Sequence, residues 1–169
     1  MIRPGPPVAA VRVERTMSAS PDDVFRAFLE PDLIRQWIAP EDLHVDRVAV
    51  EATVGGRIEV WHSRNGASTG RFEGRFLRID PPRELVYRWA FVGTEPEQGE
   101  YFDTLVTVRL RSAPGGRTHI TVVHEQLEEL ERGAPHVHAL LLPGWAECLD
   151  KLERTLGQAP AGRRGGPPG

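Results

Sequence analysis

Val11 and Val13 alternate with Arg12, Glu14 and Arg15 in the stretch Val8 to Met17, and this period of two predicts a strand with one wet face. Ser20-Pro21-Asp22-Asp23 then supplies a capping serine, a proline at the first helical position and acids in the first turn, so a helix is expected from Pro21. Val24, Phe25, Phe28 and Leu29 form its apolar stripe. Pro31-Asp32 breaks it, and a second short helix with Leu33, Ile34 and Trp37 runs on to Pro40.

From Leu43 to Gln126 the pattern changes to short alternating runs, punctuated by Gly55-Gly56, Asn65-Gly66, Pro81-Pro82 and Gly115-Gly116. The reading is an antiparallel meander with strands at Leu43 to Val50, Arg57 to Ser63, Thr69 to Ile79, Glu84 to Phe91, Tyr101 to Arg111 and Arg117 to Gln126. Alternation assigns the faces. Ile58, Val60 and His62 share one side with Phe72, Gly74 and Phe76, with Leu85, Tyr87, Trp89 and Phe91, with Val106, Val108 and Leu110, and with Thr118, Ile120, Val122 and His124. The opposite side is mostly charged, and Trp61 falls there with Arg57 and Glu59.

An amphipathic sheet must bury its apolar face. Val137, Leu141, Trp145, Cys148, Leu149, Leu152 and Leu156 recur at steps of three and four, a helical stripe long enough to lie across the sheet, with a kink or a fresh helix start expected at Pro143. The fold class expected is therefore α+β: an antiparallel sheet of six to seven strands, curved around a long C-terminal helix, with two short helices after the first strand. Residues 8–156 form one domain. The Pro/Gly-rich residues 1–7 and the Gly/Pro/Arg-rich residues 157–169 bury too little to offset their ordering entropy and are expected to be disordered tails.

Composition narrows the function. The formal charge of -3 arises from intermixed acids and arginines, which gives no basic face for nucleic acid. Cys148 is the single cysteine, so neither a disulfide framework nor a cysteine-pair zinc site is available, and a reducing cytoplasmic setting fits. No apolar run suits a signal peptide or membrane anchor. His136 and His138 are two apart, without a His-Glu-x-x-His pattern, and Gly55-Gly56 is a turn rather than a phosphate loop; no metal or cofactor is expected.

The order of elements resembles the helix-grip fold of the START and birch-pollen-allergen superfamily. Within it, the chain is similar to the activator-of-90-kDa-heat-shock-protein-ATPase homologue family, grouped with the SRPBCC proteins. The resemblance is carried by Ser20-Pro21-Asp22-Asp23-Val24-Phe25, Leu33 to Trp37, Gly55-Gly56-Arg57, Asp80 to Trp89, Val106-Thr107-Val108, the strand ending His124-Glu125, and Gly144-Trp145 with Leu149-Asp150-Lys151-Leu152. It spans Val8 to Leu156. It implies a cavity between the sheet and the long helix, used by many members for lipids, polyketides or other apolar molecules. Co-chaperone activity belongs to members with an additional N-terminal domain, for which this length is expected to leave no room.

Residues expected to touch a guest are Trp37, Phe72, Phe76, Tyr87, Trp89, Phe91, Leu141, Trp145 and Cys148, with His62 and His124 as inward polar points and Gly74 leaving space in the inner row. For catalysis the chain offers only scattered groups (Tyr87, His62, His124, Asp103, Glu125 and Cys148), and no catalytic set is assigned. The expected function is non-covalent binding of a small hydrophobic or aromatic molecule. A cyclase or hydrolase using the same cavity and a co-chaperone-like or regulatory interaction module are the alternatives, with a homodimer through the Trp61 face as a further possibility.

Overall fold

The turns fix the register of the sheet. In the computed structural model, which describes residues 9–157, β3 (Arg57–Arg64) and β4 (Ala67–Asp80) are joined by Asn65 and Gly66, both at positive φ (52° and 81°). Two left-handed residues in a two-residue loop match the twist of the flanking strands, and Asn-Gly adopts that geometry at least cost. The remaining strands are β1 (Val11–Met17), β2 (His44–Val50), β5 (Glu84–Val92), β6 (Tyr101–Ala113) and β7 (Arg117–Glu125), and all seven form one antiparallel sheet in the order β1-β7-β6-β5-β4-β3-β2.

Register places the inner residues in rows across the strands. Val60, Phe72, Phe91 and Phe102 lie opposite one another in turn, as do Ile58, Gly74, Trp89 and Thr104, and then Phe76, Tyr87, Val106 and His124. Against this face pack α1 (Pro21–Ala27), α2 (Pro31–Trp37) and α5 (Leu141–Gly157), which contribute Val24, Phe25, Ile34, Trp37, Trp145, Leu149 and Leu152 to the main core. α1 begins as its sequence dictates, with Ser20 Oγ accepting from the Asp23 amide at 3.3 Å. Leu149 and Leu152 are fully enclosed, and burial of each side chain stabilises the fold by about 1.5–3 kcal/mol. The result is the helix-grip α+β fold.

Three expectations change. The C-terminal stripe is not one helix from Val137: α3 (Glu128–Gly133) and α4 (Pro135–Ala139) precede a break at Leu140, and α5 starts afresh at Leu141 with Pro143 in its first turn, where a missing N–H costs nothing. Gly157, read as the first residue of a tail, closes α5; the rest of both expected tails, and Val8, lie outside the described residues. Gly74 does not leave a void. A Cβ there would sit 1.9 Å from the Arg88 carbonyl oxygen and 3.3 Å from Ile58 Cγ2, so the missing side chain admits the backbone of β5.

The outer face is laid with ion pairs: Arg71–Glu73 (3.0 Å), Arg88–Asp103 (2.8 Å), and Glu84 held by both Arg78 (2.9 Å) and Arg109 (2.8 Å). Each contributes roughly 1 kcal/mol or less. Trp61 lies on this face as expected, half-buried, with the Arg47 guanidinium 4.7 Å from its ring.

Candidate functional site

The inner aromatics meet in a continuous row from β3 to α5. Ring centroids are separated by 4.5 Å from His62 to Phe72, 5.2 Å from Phe72 to Trp89, 5.4 Å from Phe72 to Phe91, 6.0 Å from Phe91 to His124 and 6.2 Å from His124 to Trp145. Tyr87 extends it, edge-on to Trp89 at 5.6 Å and to Phe76 at 6.2 Å. Phe72 and Phe91 remain only half-buried, whereas Phe76, Tyr87, Trp89, Trp145 and Cys148 are buried. Leu141 belongs to a satellite cluster with Leu127, Leu130 and Ala134, against which Phe91, Phe102 and Val137 pack. Trp37 stands apart from the row: it is enclosed in α2, edge-on to Phe28 at 4.6 Å, and its indole N–H donates to the Ala27 carbonyl at 2.9 Å.

The polar groups in this row divide into paired and unpaired. Trp145 Nε1–H donates to His124 Nδ1 at 3.0 Å, which leaves the ring proton on Nε2, facing Thr104 Oγ1 at 2.6 Å; the threonine hydroxyl in turn donates to the Trp89 carbonyl. His124 is thus held as one neutral tautomer with both nitrogens used. Burial, reinforced by the neighbouring charge of His138, pushes its pKa down to about 3. At the other end, His62 Nδ1 meets Thr69 Oγ1 at 2.5 Å, the threonine hydroxyl donates to the His62 carbonyl at 3.2 Å, and burial lowers the pKa of the ring.

Other inner groups are left without partners. Neither the Tyr87 hydroxyl nor the Trp89 indole N–H makes a hydrogen bond among the described residues; the two side chains are 3% and 4% exposed, and the polar atom of each is not sealed from solvent. His138 Nε2 is buried outright and also lacks a partner. Since buried polar groups are nearly always paired, His138 Nε2 is the exception among the described residues, while Tyr87 and Trp89 keep free donors that solvent can still reach.

Proton chemistry has little to work with here. His62 and His124 are four strands apart, roughly 15–20 Å at the usual strand spacing, and each is tied to a threonine instead of facing the other. Burial raises the Tyr87 phenol far above its ordinary range and pushes the Cys148 thiol up to about 12, so both stay protonated. Asp103 lies on the outer face against Arg88, and Glu125 ends β7 beside Gln126. Among the described residues no group of three or more His, Cys, Asp or Glu gathers as metal ligands would.

Two concavities stand out among the described residues, and neither lies between the sheet and α5, where the sequence expects a cavity. One of about 320 Å³ is on the outer face among Arg57, Glu59, Glu73, Arg75, Arg88 and Asp103; the other, about 300 Å³, is between Gln36 of α2 and Lys151, Arg154 and Thr155 of α5. Sequence reasoning missed Thr104, Thr69 and the role of His138. Continuing the inward alternation from Val106 back to Thr104 would have placed the first; only three-dimensional pairing reveals the others.

Comparison with known proteins shows what the chain as a whole is similar to. The chain covers 92% of its length in a match to 98% of a crystal structure from Rhodobacter sphaeroides, at 21% identity and a TM-score of 0.74. A Nitrosomonas europaea crystal structure matches with TM-score 0.71 at 19% identity, covering 88% of this chain and 94% of its own. A third, described as an AHSA1 protein from Silicibacter pomeroyi, matches at 21% identity and TM-score 0.69 over 88% of this chain and 98% of its own. These likenesses establish the fold alone. No protein of curated function matches. The family model described as Activator of Hsp90 ATPase homolog 1-like protein matches residues 18–157, from the end of β1 to the last residue of α5, and the chain belongs to that family.

Proposed function

We propose that this chain binds a small apolar or aromatic molecule in the seam between the inner sheet face and α4–α5, without covalent chemistry. One observation carries the reading. Of the tryptophans on the buried side, Trp37 and Trp145 have their indole N–H groups paired within the fold, while Trp89 and the adjacent Tyr87 hydroxyl are unpaired. A carbonyl or hydroxyl oxygen of a guest would accept from both, while its apolar body lay against Phe72 and Phe91. Neither donor has to break a bond within the fold to serve a guest, so the pair is ready to receive one.

Because neither concavity lies in the seam and most of the row is buried, a guest enters by displacing something. α4 is the element best suited to yield: it has five residues, none of them buried, and is followed by the exposed Leu140. The observed affinity then includes the cost of opening, as for any site whose competent state is a minor one. The paired charges on the outer face disfavour an interaction module built on that surface. Fluorescence titration with 2-acetonaphthone tests the reading: saturable quenching is expected, weakened several-fold in Tyr87→Phe. No saturable binding by the wild type, together with no small molecule recovered by mass spectrometry from purified protein, would overturn it.

A further inference from the structure

We propose that His138 Nε2 seats a hydroxyl of the guest at the rim of the seam, making the preferred ligand a hydroxyl-bearing aromatic molecule; this rests on the binding function proposed above. His138 sits on α4, and its Nε2 is the buried side-chain nitrogen that the described residues leave without a partner. The preceding residue of α4, Val137, packs against the Leu127, Leu130, Ala134 and Leu141 cluster, and Phe91 packs on the same cluster. Phe91 in turn is stacked on His124, with the two ring planes within 14° of parallel. Through this shared cluster the orphan nitrogen is carried at the Phe91 end of the aromatic row, where Phe91 is half-buried and can receive the face of a flat molecule.

The chemistry selects a hydroxyl. An imidazole nitrogen is a donor or an acceptor according to where the ring proton sits, and a hydroxyl can serve Nε2 in either role, whereas a carbonyl serves it only when it donates. His124 cannot take this role, because Trp145 and Thr104 already use both of its nitrogens. Its neighbour His136 is exposed and cannot take it either.

Two matched probes isolate the hydroxyl: 2-naphthol and 2-methylnaphthalene, titrated against the wild type and His138→Leu. The wild type should prefer 2-naphthol by roughly tenfold, and His138→Leu should lose that preference while binding 2-methylnaphthalene as before. Because the variant removes an unpaired buried nitrogen, its ligand-free Tm should rise by roughly 2–8 °C, with His136→Leu as the control for helix propensity. A preference that survives in His138→Leu, or equal binding of both probes by the wild type, would overturn the His138 assignment and leave the binding function standing. Binding of neither probe by the wild type would remove both.

Discussion

Trp37 and Trp89 are buried to nearly the same degree, yet one is finished by the fold and the other is not. Trp37 has its N–H on the Ala27 carbonyl and its ring against Phe28, and so locks α2 onto α1. Trp89 lies against Phe72 and Tyr87 with its N–H unused. The end of the grip that holds Trp37 is thus built as a conventional core, while the end of the aromatic row that holds Trp89 and Tyr87 keeps polar capacity in reserve. Burial alone does not separate a structural aromatic from a binding one; the state of its polar atom does.

Breaking the closed end should have the largest effect. Trp37→Ala removes a fully enclosed side chain and leaves the Ala27 carbonyl unmatched, and a loss of about 3–5 kcal/mol is expected in urea unfolding. A loss below 1 kcal/mol would erase the distinction between the two ends.

Acid comes next. An unfolded chain protonates His124 near pH 6.5, but the folded chain holds it neutral down to about pH 3 because burial disfavours the charge. The unfolded state therefore binds the extra proton between these values, so stability is full above pH 6.5 and falls as the pH drops toward 3. Between pH 6.5 and 5 this one group should cost roughly 2 kcal/mol, and its Cε1–H resonance in the native state should not titrate above pH 4. A native midpoint near 6 would contradict the pairing assigned to Trp145 and Thr104.

The smallest effect should come from the open end. Tyr87→Phe deletes a hydroxyl that satisfies nothing in the fold, so its stability should stay within about 0.5 kcal/mol of wild type, even though Tyr87 is as buried as Trp89. A loss above 2 kcal/mol would show that the hydroxyl has a structural partner.

Much of this architecture was legible in the chain. Alternation and turn residues located all seven strands to within a few residues and put His62, Tyr87, Trp89 and His124 on the inner face, because a period of two leaves side chains little choice. α3 was not legible: Glu128–Gly133 carries one buried residue, Leu130, and a single apolar position has no period. The restart of α5 at Leu141 instead of Pro143 reflects proline's tolerance in a first helical turn. The paired and unpaired groups were beyond reach for a different reason. His124 finds Thr104 on β6 and Trp145 on α5, and these partners depend on strand register and helix placement, which alternation along one strand does not encode. For the same reason, the absence of a partner for His138 Nε2 is a property of the assembled molecule.

The most direct test is indole N–H exchange, followed by NMR on ¹⁵N-labelled protein. Slow exchange is expected for Trp37 and Trp145, whose N–H groups are bonded and buried. Trp89 should exchange much faster and be the indole that shifts on titration with 2-acetonaphthone. A Trp89 N–H as protected as that of Trp37 and unmoved by the probe would contradict the claim that this end of the grip is built to be completed by a guest.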